Sequence, residues 1–232
     1  NHIIKNMIYM VELNEKNVAV SREIFGTEAN IFCGNFLTDD YKAHFGIEEF
    51  DIIIGNPPFQ KPQVGVRKGG HGGRTLWDKF VVSSLSVLKE EGYLGFINPQ
   101  GWRGLGATHY LWDLLIPKQL CYLHIYSQRQ SQIIFNVTAR FDLYVFQNTK
   151  NTKRTFIIDE LGDTHLKDLT KMDFLPNYAY DEINKILTTV DNGIDVIHSS
   201  SFYHSSKLSM EKNEEYTLPI IHGITKKGLS IR

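Results

Sequence analysis

Apolar positions along this chain follow two alternating rhythms. Short runs of continuous or every-second apolar residues, "MIYMVE" (7 to 12), "NIFCGNF" (30 to 36), "FDIIIG" (50 to 55), "YLGFIN" (93 to 98), "CYLHIY" (121 to 126) and "RFDLYVFQN" (140 to 148), have the length and the β-branched or aromatic content of strands. Between them the apolar residues recur at helical spacing. Asn14 is placed to cap a helix over 15–25 that Gly26 ends. Trp77, Phe80, Val81, Leu85 and Leu88 mark a second helix, with Thr75 and Asp78 spaced as a near capping box and Gly92 just past the end. "THYLWDLLI" (108 to 116) forms a third, stopped before Pro117. Strands that alternate with helices in this way predict a parallel α/β sheet covered on both faces.

Ligands of such a sheet sit outside the carboxyl ends of its strands. Glu12, Asn35, Asn56 and Asn98 each end one of the successive strands. A strand-end Glu or Asn is ordinarily a capping or solvated residue, but four of them mark a shared edge. Asn56 stands apart, because it lies in "DIIIGNPPF" (51 to 59). The two prolines donate no backbone hydrogen bonds and fix φ near −65°, so the chain must leave the sheet at Asn56 and continue as a stiff, extended turn. That holds an amide side chain rigidly beside an aromatic ring, for which an ordinary turn has no use.

Composition narrows the class. With 232 residues, 42% of them hydrophobic and 22% charged, the chain can bury a core and is long enough for one domain and part of a second. No apolar run approaches a membrane span, and nothing at the start reads as a signal peptide. Cys33 and Cys121 lie in apolar runs outside any pair motif, which predicts buried thiols in a reducing, cytoplasmic compartment. The histidines show no metal-ligand spacing. At a net charge of −1, nucleic acid would have to be held by local basic patches.

"GNPPF" after a strand, with "YMVELN" and "CGNFL" upstream and "GYLGFINPQGW" downstream, resembles the S-adenosyl-L-methionine-dependent amino-methyltransferases, most closely the N6-adenine DNA methyltransferases of restriction-modification type. The resemblance covers residues 7 to 147. It implies a Rossmann-like class I methyltransferase sheet with helices on both faces over residues 1–149, and the start of a target-recognition region over 150–232. It also implies that Glu12 binds the cofactor ribose hydroxyls, that Asn35 and Phe36 meet the cofactor adenine, and that Asn56, Pro57, Pro58 and Phe59 form the catalytic motif. Phe59 and Phe135 are its implied stacking partners for the target base, and double-stranded DNA its implied partner.

These residue types suit the reaction. The exocyclic amine of adenine is a poor nucleophile because its lone pair is delocalised into the ring. The Asn56 side-chain oxygen and the Pro57 carbonyl can accept both amine protons and favour a pyramidal nitrogen, which is catalysis by positioning and electrostatics. A paired base is out of reach, so the nucleotide must swing out of the duplex and stack on a ring such as that of Phe59. RNA adenine and protein glutamine methylation use a similar motif and stay open, as does a non-catalytic DNA-binding piece. Trp102 and the extended chain after Phe146 favour DNA.

The chain departs from the family pattern twice. Asn35 stands where the family usually has Asp, although an amide oxygen can also accept from the cofactor amine. The Gly-rich first cofactor motif, which belongs to the strand before Met7, is missing, so the chain reads as a fragment of a larger enzyme or as one of its subunits. "GWRGLGATH" (101 to 109) does not replace it, having neither the third glycine nor the following acid of a dinucleotide fingerprint. Between the motif and the next helix, "QKPQVGVRKGGHGGR" (60 to 74) carries four basic residues, five glycines and no acid. It reads equally as a solvated connector and as a DNA contact through Lys61, Arg67, Lys68 and Arg74. Near Thr149, "NTKNTK" reads as a polar linker.

Overall fold

The computed structural model describes residues 2–61, 75–104, 106, 108–186, 221–225 and 228–231. The chain divides into two compact units, residues 1–182 and 183–232. In the first unit, helix α1 (His2–Asn6) leads into strand β1 (Tyr9–Glu12), helix α2 (Glu15–Phe25), strand β2 (Asn30–Cys33), helix α3 (Tyr41–Phe45) and strand β3 (Phe50–Gly55). Then follow α4 (Trp77–Leu85), β4 (Leu88–Pro99), α5 (Tyr110–Leu115), β5 (Lys118–Tyr126), α6 (Gln128–Phe135), β6 (Phe141–Lys150), β7 (Thr155–Ile158) and β8 (Thr164–Lys167), while α7 (Tyr180–Ile186) spans the boundary between residues 182 and 183. In the second unit a two-stranded antiparallel sheet joins β9 (Ile221–Thr225) to β10 (Gly228–Ile231).

The predicted start and stop signals of α2 form as expected. The Asn14 side chain accepts from Lys16 N, and Gly26 closes the helix at φ 93°, a value that favours glycine. The α4 signals do not. Thr75 pairs instead with Gln60 in an isolated antiparallel bridge, no side chain caps the helix, and the helix stops at Leu85. Gly92 lies inside β4, where the register against β3 jumps between Phe50↔Leu88 and Ile52↔Tyr93. A side chain there would meet the Asp51 carbonyl oxygen at 2.9 Å, so only glycine fits the bulge.

The main sheet has the order β3-β4-β6-β5-β7-β8. β3 and β4 are parallel, while β6 runs antiparallel to both β4 and β5. The predicted all-parallel sheet is therefore mixed, because an alternating apolar pattern carries no strand direction. Leu94 and Phe96 of β4, Leu123 and Ile125 of β5, and Tyr144 and Phe146 of β6 point to one face, where Trp77 and Val81 of α4 and Leu111 and Leu115 of α5 bury them. The opposite face is more open. It carries Ile52, Ile54, Tyr93 and Phe156, all exposed. β1 and β2 form a separate parallel pair, with a small core of Val18, Ala29 and Ile31.

The segment read as a linker near Thr149 is a pinned turn. Asn151 is buried and donates to the Ile116 carbonyl at 2.8 Å, while the Gln119 side-chain oxygen accepts from Thr152 N and Lys153 N. The chain then adds β7 beside β5 and β8 beyond it. Residues 175–177 are gripped by Arg103, which donates to the Leu175 carbonyl at 2.8 Å and the Asn177 side chain at 3.0 Å. Arg103 itself is buried against the buried Asp142 at 2.6 Å. Burial pushes the Asp142 carboxyl up from the usual carboxylate range, and the Arg103 charge opposes that push.

Candidate active site

β3 ends where the sequence predicted. Gly55 lies against the Phe96 ring, where an added Cβ would come within 3.2 Å, and the chain leaves the sheet at Asn56. Pro57 is buried and Pro58 exposed, so the turn is anchored on one side and open on the other. The Asn56 amide is exposed and takes no hydrogen bond from any described residue. Both of its polar atoms are free for a ligand. Phe59 is half-buried, one part of its ring packed on the main core. Its carbonyl accepts from Leu76 N at 3.1 Å, which with the Gln60–Thr75 bridge draws together the two ends of the basic loop. Lys61 at the start of that loop is exposed, whereas Arg67, Lys68 and Arg74 lie outside the described residues.

The cofactor candidates gather at the end of the β1–β2 pair. Glu12 is half-buried, and one of its carboxylate oxygens accepts from Asn14 N at 2.7 Å. That bond fixes the carboxylate and leaves its second oxygen for a ligand. The Asn35 side-chain oxygen accepts from Leu37 N at 2.9 Å, and Asn35 N donates to Asp39 at 2.8 Å. This backbone bond, helped by the Thr38 hydroxyl, holds the Asp39 carboxyl below its ordinary value. Gly34 is required in this turn, since a Cβ would collide with the Phe32 ring and meet Asp39 at 2.7 Å. Asn35 thus spends part of its acceptor capacity on its own loop.

A cavity of about 760 Å³ joins the two groups. Its walls include Tyr9 and Glu12 of β1, Asn35 and Phe36 after β2, and Ile54 and Asn56 at β3. Among the described residues β1 pairs only with β2, and β3 only with β4, so both present unpaired edges. Phe36 stacks on Tyr41 at 5.0 Å and on Phe80 of α4 at 5.7 Å. These rings tie the β1–β2 pair to α4, which packs on the main sheet. Two wall residues escaped the sequence reading, Phe80 as a stacking partner and Ser84 as a polar group. They stand four apart on α4, and that spacing on one helix face is the signal that could have found them. Ser84 is fully buried, and its hydroxyl has no partner among the described residues.

Other expected residues lie elsewhere. Asn98 is the last residue but one of β4 and is buried on the core face, donating to the Tyr144 hydroxyl, whose acidity burial suppresses. Trp102 is fully buried against Tyr144 and Phe146, so it offers no surface to DNA. Cys33 is exposed at the last position of β2 and Cys121 is half-buried; both are free thiols, and the expectation of two buried ones is corrected. Phe135 ends α6, exposed, with its ring edge-on to Phe141 at 4.7 Å. No described helix is long and apolar enough to cross a membrane.

Against known proteins, the model of the Eco57I restriction-modification methylase family matches residues 2–135. The chain is 37% identical over 62 residues to an uncharacterized adenine-specific methylase of Mycoplasma pneumoniae, a match covering 27% of this chain and 14% of that protein. Its fold is similar to that of the M protein of the type I restriction enzyme EcoKI, with a TM-score of 0.51 and 15% identity over 68% of this chain and 36% of the other. It is similar also to a type I R-M system structure, with a TM-score of 0.50 and 18% identity over 67% of this chain and 34% of that one. The chain therefore spans 14% of the curated relative and little more than a third of these structures. At such identities the structures speak for the fold alone. The family match covers more than half of the chain and includes the whole Asn-Pro-Pro-Phe turn, and by it the chain belongs to the Eco57I restriction-modification methylases.

Proposed function

We propose that this chain carries the catalytic edge of a site-specific DNA methyltransferase that moves a methyl group from S-adenosyl-L-methionine to the N6 amine of an extruded adenine. The observation that carries this reading is the free Asn56 amide, held by a Gly-Asn-Pro-Pro turn in the wall of the cavity that Glu12 also lines.

The residues present fit the cofactor. The cavity is of the size that small-molecule sites occupy, and its polar groups are few. The free oxygen of Glu12 suits a pair of ribose hydroxyls. Asn35 and the Phe36 edge suit an adenine ring, and the buried, unpartnered Ser84 hydroxyl is available to a polar group that enters. When bound, the cofactor supplies an electrophilic methyl on a sulfonium. The chain does the rest by positioning: Asn56 and the Pro57 carbonyl accept the two amine protons, and the exposed part of Phe59 supports the base. Phe135 offers a second ring and the basic loop from Lys61 to Arg74 a phosphate contact, while residues 150–232 would open target recognition. DNA and the remaining parts of a restriction-modification assembly are the partners of this reading, and a cytoplasmic location goes with its free thiols and its DNA substrate.

The experiment is methyl transfer by the complete methylase from isotopically labelled cofactor to duplex DNA, with the product nucleoside identified. N6-methyladenine is the expected product; label in RNA or in protein glutamine instead would replace this reading. Glu12→Gln keeps the Asn14 contact but loses the charge, and a hydrogen bond to a charged group contributes about 1.5–3 kcal/mol. The cofactor Kd should rise roughly 10- to 100-fold by calorimetry, with DNA affinity unchanged. An unaltered cofactor Kd would remove Glu12 from the site.

A further inference from the structure

From Gln132 to Thr138, at the end of α6 and in the turn beyond it, seven consecutive residues are exposed, and four of them, Ile133, Ile134, Phe135 and Val137, are large and apolar. Ile133 is 75% and Ile134 52% exposed. A run of this kind on a charged and polar surface marks a place where something binds. Asn136, at φ 54°, ends the helix in the left-handed region and turns the chain sharply. The turn is stiffened by polar contacts, Gln132 to Asn136 at 2.6 Å and Thr138 to Gln132 at 3.1 Å.

Three observations say what binds there. The first is position. The carboxyl ends of β3, β4 and β5 lie along one edge, and β6 starts there, with Phe141 opposite both Pro99 and Tyr126. Two strand spacings of about 4.8 Å each separate β3 from β6, so the end of α6, touching Phe141 through Phe135, lies a short step from the Asn56 turn. The second is charge. From Ser127 to Phe141 there is no acidic residue, and of the two arginines Arg140 is paired with Glu160, leaving Arg129 as the positive charge. The third is rigidity. Phe141 stacks on Tyr126 at 4.7 Å and Tyr126 on His124 at 4.1 Å, a ladder of rings that backs the helix end.

We infer that Ile133 and Ile134 form an apolar wedge that enters duplex DNA beside the target nucleotide and holds the helix open while the base is out. Apolar side chains of this type part base steps elsewhere, at an energetic cost that their own burial offsets. The inference rests on the base-methylation reading and adds to it the residues that meet the duplex left behind. Phe135 faces the extruded base, whereas the two isoleucines face the gap.

The test uses the complete methylase and two duplexes that carry its methylated site, one fully paired and one with an abasic position opposite the target adenine. The second has already lost the pairing that a wedge must oppose. With Ile133→Ser/Ile134→Ser, methylation of the paired duplex should fall 10-fold or more, that of the pre-opened duplex should stay within about twofold, and the melting temperature should be unchanged. Equal losses on both duplexes, or no loss on either, overturn the wedge. A lowered melting temperature with equal losses overturns it in favour of contact with another part of the methylase. If the unaltered enzyme methylates neither duplex, the base-methylation reading falls and takes the wedge with it.

Discussion

In the complete methylase, Asn56→Ala should lower turnover by roughly 100-fold or more, the scale on which one preorganised transition-state partner is lost. The reason lies in when the contact matters. An acceptor for an amine proton gains strength as the nitrogen becomes pyramidal, so its loss should appear in kcat and leave DNA affinity nearly intact. Phe59→Ala offers the contrast, because base stacking contributes about 1–3 kcal/mol to capture. A duplex with 2-aminopurine at the target position separates the two. Asn56→Ala should keep the fluorescence rise that reports an unstacked base, with methyl transfer lost, whereas Phe59→Ala should diminish the rise itself. Since part of the Phe59 ring packs on the core, the melting temperature of that variant belongs beside its signal. Normal methylation by Asn56→Ala would end the reading of Asn56 as an acceptor of the amine proton.

The largest effect on stability should come from a residue outside the cavity. Arg103→Met leaves the fully buried Asp142 carboxyl without its counter-charge, and removing one partner of such a pair typically costs about 3–5 kcal/mol. It also releases residues 175–177 from the arginine's fork. Asp142→Asn in the Arg103→Met background should recover part of the loss, because a neutral amide tolerates burial better than an unpaired charge. Denaturant titration of the two variants supplies the numbers. A loss of less than about 1 kcal/mol in the single variant, no more than an average substitution costs, would mean that the pair does not anchor this region.

Much of this site could be read from residue order alone, and the failures have physical causes. The turn at Asn56 was legible because proline chemistry is local: two missing donors and two fixed φ angles end a strand whatever surrounds it. The Asn14 cap of α2 was legible for the same reason. The bounds of α4 were not, because "SSLSVLKEEG" keeps helical spacing up to a glycine that the fold uses for a bulge, and the competing bridge from Gln60 to Thr75 is a long-range contact. Nor could the turn after Thr149 be foreseen, since its polar composition matches a linker and its partners Ile116 and Gln119, more than thirty residues earlier, show why it is fixed. Trp102 was misjudged through its type, as a ring equally at home in a core and on DNA. Cys33 was misjudged through its neighbours, because an apolar run does not reveal that its last residue sits at the end of an edge strand.

The open sheet face bears on how material for such experiments can be made. Ile54 is 79% and Ile52 64% exposed on a strand whose second edge is unpaired among the described residues, beside a cavity whose walls are mostly apolar. A free edge with isoleucines alongside is a template on which further strands can add, from another molecule as readily as from the rest of an enzyme. Residues 1–232 should therefore be prone to concentration-dependent association.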